Sequence, residues 1–154
     1  MKIQFKQGNI LQETKGIIAH CVNCVGVMGA GLAYQIAIKY PIVKQKYLEQ
    51  HKRGWLLGNI QLVEVNKDLI IANLAGQYNI GTKERQLSYQ ALEICLDKLF
   101  KEALLKSQQN IEFNNIFLPR LGCGLAGADW KAVEIIINRA FDKYNEFLYL
   151  TIYQ

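Results

Sequence analysis

The chain has 154 residues, of which 51% are apolar and 20% charged, with a net charge of +5. That length fits one domain over residues 1–154, burying about 70% of the surface its unfolded chain exposes. No apolar run comes near the ~20 residues of a membrane helix. A signal peptide is continuously apolar, whereas Met1-Lys2-Ile3-Gln4-Phe5-Lys6 alternates apolar and polar residues. The expectation is a cytoplasmic protein with no membrane partner. The positive charge favours an anionic partner, either nucleic acid or a phosphorylated small molecule. The charge is scattered, however, and its densest stretch, residues 44–53, reads as the solvated face of a helix.

In chain order, the alternation over residues 2–6 predicts a strand, and the apolar run Gly-Ile-Ile-Ala-His-Cys-Val at 16–22 predicts a buried one. A glycine-rich segment follows over residues 23–31, then helical spacing over 32–39. Pro41 suits the first turn of a second helix that ends before Gly54. Residues 59–65 and 69–74 read as strands joined by a turn at Asn66-Lys67-Asp68. Residues 77–86 are polar and loop-like. Tyr89, Leu92, Leu96, Leu99 and Ala103 recur at three- and four-residue steps, which predicts an amphipathic helix over 88–106. A short strand at 115–118 runs into Pro119-Arg120-Leu121 and a second glycine-rich loop at 122–127. Asp129 is a suitable N-cap for a helix carrying Val133, Ile136, Ile137 and Ala140. Residues 147–153 form a last apolar strand. Strands alternating with helices imply an α/β fold with a mostly parallel sheet covered on both faces.

Both glycine loops lie between a strand and a helix. In an open α/β sheet the ligand crevice lies at the carboxyl ends of the strands. Glycines let the backbone approach a ligand closely, several amides can point at one phosphate, and a helix N-terminus adds partial positive charge. Two such loops could grip the two phosphates of a diphosphate. Gly26 and Gly31 have the spacing of an NTPase phosphate loop, but Leu32-Ala33 stands where Lys-Ser/Thr is required, which excludes that reading. Gly122-Cys123-Gly124-Leu125-Ala126-Gly127 matches G-x-G-x-x-G. A dinucleotide fold then needs an acidic residue ending the next strand, and the next strand ends at Tyr153-Gln154. Two tight turns without a ligand remain the plain alternative.

The four cysteines are Cys21, Cys24, Cys95 and Cys123. Cys21 and Cys24 form a C-x-x-C, but a glycine loop rather than a helix follows it, and no second pair completes a zinc site. They read as small buried thiols, and no metal is expected.

Gly8-Asn9-Ile10 after the first strand, His20-Cys21-Val22-Asn23 ending the second, Gly29-Ala30-Gly31-Leu32-Ala33 opening a helix, the stretch Pro119 to Gly127, and the terminal Leu150-Thr151-Ile152-Tyr153 together resemble the macro domain family over essentially the whole chain. The branch it resembles holds ADP-ribose-1''-phosphate phosphatases and terminal ADP-ribose glycohydrolases. The resemblance implies a three-layer α/β/α sandwich with a mixed, about six-stranded sheet and a cleft for ADP-ribose. It sets the first loop (Gly29, Ala30, Gly31, Leu32) beside the distal ribose and the second (Gly122, Cys123, Gly124, Leu125, Ala126, Gly127) around the diphosphate. Asn9, with Ile10, stands where many macro domains carry an aspartate that accepts the adenine amino proton. An asparagine can accept that proton too, and capping the chain after the first strand is its other reading. Asn23 matches the asparagine that contacts the distal ribose and helps orient water; its other reading is a loop asparagine bonding its own backbone. His20 is the second candidate catalytic residue, or else a hydrogen-bonded core histidine.

The chain departs from the related glycohydrolases at two positions. Their catalytic lysine and aspartate align with Gln77 and Ala126, which supply neither a nucleophilic amine nor a carboxylate. Ala128 replaces an aromatic found beside the second loop, and Trp130 or Tyr78 could cover the ribose instead. The functional readings are a hydrolase that removes a terminal phosphate or acyl group from an ADP-ribose derivative, a non-catalytic ADP-ribose reader, and a basic nucleic-acid binder. The partner is ADP-ribose, free or carried by a small molecule, an RNA end or a protein, and no cofactor is expected.

Overall fold

A computed structural model describes residues 3–154. Lys2, expected in the first strand, lies outside the described residues. Six strands form one sheet: β1 (Ile3–Lys6), β2 (Gly16–Val22), β3 (Ile60–Asn66), β4 (Leu69–Ala75), β5 (Asn115–Leu118) and β6 (Tyr149–Tyr153). Their order across the sheet is β1-β6-β5-β2-β4-β3. All neighbours run parallel except β3, which pairs antiparallel with β4 through the hairpin at 66–69. The helices are α1 (Gly31–Lys39), α2 (Pro41–Arg53), α3 (Tyr89–Ser107) and α4 (Trp130–Asp142). The mixed six-stranded sheet and the two helical layers match the expected sandwich.

Side-chain alternation on β2 divides the core. Ile17 and Ala19 pack on one face with α3 and α4, while Ile18 and Val22 pack on the other with α1 and α2. A strand covered on both faces has no solvated side, so β2 and β4 are apolar almost throughout. Helix α3 buries the stripe Leu92, Cys95, Leu96, Leu99, Phe100 and Ala103, and Ser88 caps it by accepting from Ala91 N at 3.1 Å. Pro41 opens α2 and Gly54, at φ +103°, closes it.

Four details differ from expectation. The last strand begins at Tyr149, because residues 144–148 turn back on Tyr144 and leave Phe147 exposed. Strand β3 is displaced by one residue, with a register shift between Glu64 and Asn66. Two short 3₁₀ turns, Ile10–Gln12 and Ile111–Asn114, were not anticipated. Asp129 is the N-cap residue of α4, yet its side chain makes no capping bond; instead its backbone N–H donates to the Tyr89 hydroxyl at 3.1 Å.

The α3/α4 layer is anchored by Phe100, fully buried and edge-on to Phe141 with centroids 5.3 Å apart. Phe100→Ala should lower unfolding free energy by about 3–5 kcal/mol in urea denaturation, with the slope unchanged.

Candidate functional site

Strands β2 and β5 are parallel neighbours, yet the chain leaves β2 toward the α1/α2 layer and β5 toward the α3/α4 layer. The connections diverge there and leave a cleft of about 580 Å³ at the carboxyl ends of the strands. His20, Asn23, Gly29, Ala30, Gly31 and Leu32 line one wall, and Gly122, Gly124, Leu125 and Ala126 line the other. Ten of the residues singled out from sequence therefore meet on one cavity. Cys123, Gly127, Asn9 and Ile10 are not among its lining residues. Asn9 instead caps the first 3₁₀ turn, its Oδ1 accepting from Leu11 N at 2.9 Å.

Local geometry shapes both loops. The first turn of α1 has no side-chain cap, and its residues Gly31, Leu32 and Ala33 line the cleft, so the uncapped amides of a helix N-terminus border it. Gly122 has φ +69°, and a Cβ there would lie 2.6 Å from the Leu87 side chain. Gly124 is different, since a Cβ there would meet nothing within 4 Å.

Asn23 is 7% exposed and holds its own loop closed. Its Oδ1 accepts from Val25 N at 3.1 Å, Val27 N at 3.2 Å and the Tyr47 hydroxyl at 2.7 Å, and its Nδ2 donates to Val27 O at 2.7 Å. Burial pushes the Tyr47 phenol up to about 12, so it remains a donor. His20 is 2% exposed and its Nε2 lies 2.6 Å from Asn73 Oδ1. Burial drives its pKa down to about 4, against a smaller upward pull from the Asn73 bond.

Sequence reasoning did not anticipate the third wall. Ile80, Gly81 and Thr82 line the cleft beside Gln77. Their segment bridges both glycine loops: Tyr78 O accepts from Cys24 N at 2.9 Å, and Gln86 N donates to Ala126 O at 2.8 Å. Arg120 was also missed as a lining residue; its guanidinium stands 5.2 Å over the Trp130 ring. Neither Trp130 nor Tyr78 lines the cleft. The Pro-Arg-Leu run beside the second loop was the available signal for Arg120; nothing in the polar stretch 77–86 marked it as a wall.

All four cysteines are free thiols. Burial raises the pKa of Cys21, with Cys95 and Cys123 adding to it, and burial pushes Cys95 up to about 12. Such thiols are neither nucleophiles nor ready metal ligands. Among the described residues no three His, Cys, Asp or Glu side chains gather as a metal site, and no helix is long and apolar enough to cross a membrane.

The sheet, the layers and the cleft define an α/β sandwich with a cavity where parallel strands diverge. The chain belongs to the macro domain family, whose model matches residues 19–137. It is 29% identical to an ADP-ribose 1''-phosphate phosphatase of Saccharomyces cerevisiae, over 99% of this chain and 98% of that protein. It is 28% identical to a DNA ADP-ribosyl glycohydrolase of Mycobacterium tuberculosis, over 92% of this chain but 39% of that longer protein. The macrodomain of Mycobacterium tuberculosis DarG superposes with a TM-score of 0.83 at 24% identity, over 98% of this chain and 96% of that one.

The His20 shift has a thermodynamic consequence. A histidine held neutral in the folded state and free to protonate when unfolded stabilises the fold above its unfolded pKa of about 6.5. That contribution is lost as pH falls from 6.5 toward 4. Over that window His20 should cost about 3 kcal/mol of stability, read by urea denaturation at successive pH values. His20→Gln should flatten that part of the profile.

Proposed function

We propose that this chain binds ADP-ribose in the cleft and hydrolyses a terminal phosphate or acyl group from an ADP-ribose derivative. The observation that carries the reading is the cleft between two glycine loops, one of them opening onto an uncapped helix N-terminus, in a chain of the macro domain family. The near end-to-end match to a relative named ADP-ribose 1''-phosphate phosphatase supports the phosphatase form. The diphosphate would lie between the first turn of α1 and the second loop, with Asn9 and Ile10 reaching the adenine from outside the cleft wall and the Cys123 and Gly127 amides completing the loop. ADP-ribose would arrive free or carried by a small molecule, an RNA end or a protein, in the cytoplasm, with residues 1–154 working as one domain.

For the phosphate ester, a water oxygen attacks phosphorus and the bond from phosphorus to the ribose 1''-oxygen breaks. The water's two protons end on the ribose hydroxyl and on the released phosphate. His20, neutral at working pH, can accept a hydrogen bond from that water. Asn23 has an amide hydrogen left for the distal ribose. Positioning of this kind is a moderate catalyst. A lysyl adduct is not available, because Gln77 on the cleft wall carries an amide and its Nε2 donates to Asn79 O at 2.9 Å. Ala126 offers no carboxylate.

One observation favours a second reading, a non-catalytic reader. The Asn23 oxygen already accepts three hydrogen bonds, which fits a loop brace better than a water holder.

ADP-ribose should bind with micromolar affinity, about −8 kcal/mol, by calorimetry. Gly124→Glu should abolish that heat while leaving the melting temperature unchanged, since its side chain enters open space beside the diphosphate. No heat at millimolar ADP-ribose, or binding that collapses with salt for nucleic acid alone, would defeat the reading.

Turnover of ADP-ribose-1''-phosphate or an acyl-linked ADP-ribose should be slow. Borohydride added during turnover should trap no adduct in intact-protein mass spectra. Asn23→Ala should cost more in kcat than in ADP-ribose affinity. Binding without turnover of any such substrate would leave the reader.

A further inference from the structure

A chain of neutral polar side chains crosses the sheet beneath α1 and α2. It starts at a backbone carbonyl of helix α2, Lys46 O, which accepts from Gln61 Nε2 at 2.9 Å. Gln61 Oε1 accepts from Asn73 Nδ2 at 3.0 Å, and Asn73 Oδ1 lies 2.6 Å from His20 Nε2. Asn73 is fully buried and stands directly across from His20 in the β2–β4 register.

A carbonyl can only accept, so the polarity of every link follows from the first one. Gln61 must turn its nitrogen to Lys46 and its oxygen to Asn73. Asn73 must then turn its nitrogen to Gln61 and its oxygen to His20. His20 Nε2 must carry the proton. Nδ1 keeps its lone pair and bonds to none of the described residues. Among the described residues every fully buried side-chain nitrogen or oxygen has a partner, so Nδ1 reaches open space. The space His20 borders is the cleft.

We infer that Asn73 and Gln61 are positioning residues that hold His20 in the Nε2–H tautomer, so that Nδ1 serves as the hydrogen-bond acceptor orienting the hydrolytic water. The inference rests on the hydrolase reading of the cleft. Gln61 and Asn73 are not cleft-lining residues, so their effect on turnover must pass through the imidazole.

The tautomer can be read directly. The chain has two histidines, so in an His51→Gln background long-range proton–nitrogen spectra of ¹⁵N-labelled protein report His20 alone. At pH 7 the spectrum should show a protonated Nε2 and a bare Nδ1. Two further variants test the relay from a distance. Gln61→Glu still accepts from Asn73, so the tautomer should persist and kcat should stay within about twofold. Gln61→Lys can only donate. It should draw the Asn73 oxygen to itself, present Nδ2 to His20 and force the Nδ1–H form. Its kcat at pH 8 should fall about tenfold or more with KM unchanged. Asn73→Leu, which removes the acceptor, should mix the tautomers and lower kcat likewise.

An Nδ1–H wild type, a Gln61→Lys protein that keeps the Nε2–H form, or a switched tautomer with undiminished kcat would each overturn the inference. A wild type that binds ADP-ribose, shows the Nε2–H form and turns over no substrate would sink the hydrolase reading, and the catalytic use of the tautomer with it. The spectrum separates that failure from failure of the relay.

Discussion

Two parallel strands lie side by side, and the chain leaves them in opposite directions. Everything at the site depends on that constraint. After β2 the backbone turns toward the α1/α2 layer, and after β5 toward the α3/α4 layer. Hydrogen bonding holds β2 and β5 side by side at Ile17–Ile18 and Ile116–Phe117, while the segments beyond them must separate. The gap cannot be closed by packing, because each following helix is committed to its own face. What varies among proteins with such a gap is what lines it. Here it is two short glycine-bearing loops, the first turn of a helix and the segment from Gln77 to Thr82.

These loops are held in place by the protein itself. Asn23 ties the first loop through its own carboxamide and through the Tyr47 hydroxyl from α2. The second loop is tied at Ala126 O, which accepts from the segment before α3, and that same segment reaches across to Cys24 N. The third wall is thus a strap between the other two. A cleft walled by loops that the protein already ties down leaves little to be ordered on binding. The same arrangement explains why the Asn23 side chain looks structural. Its oxygen is saturated by the loop, and chemistry at this position has to come from the remaining amide hydrogen or from neighbours.

The fold was legible in the sequence wherever burial imposed a period. The stripe Leu92, Leu96, Leu99, Ala103 gave α3, and the continuous apolar runs gave β2 and β4. Glycine loops between a strand and a helix gave two walls of the cleft, because φ and close approach demand glycine at positions such as Gly122. Residues 77–86 gave no such signal, since a strap held by backbone hydrogen bonds constrains side-chain identity little. Asn9 was readable two ways, and the geometry shows its capping role. Asn73 and Gln61 were invisible for another reason. They lie in strands, 53 and 41 positions from His20 in sequence, and only sheet register brings them into line. A polar residue inside an apolar strand, such as Asn73 in Leu69–Ala75, was the one trace left in sequence.

An amide at position 73, and not a carboxylate, follows from the same burial. A carboxylate beside His20 would need a countercharge, and the nearest group able to supply one is the imidazole itself. The ring would then be protonated and its Nδ1 lone pair lost. Asn73 bonds both neighbours without charge, and so leaves the imidazole neutral and directional. Gln61 extends the same logic to the edge of the sheet, where a helix carbonyl sets the sense of the whole chain. Each member of such a relay is oriented by the donor or acceptor character of the next one out. The fixed end is a backbone atom, which neither ionises nor rotates, and that is what allows a buried histidine to keep one tautomer without any buried charge.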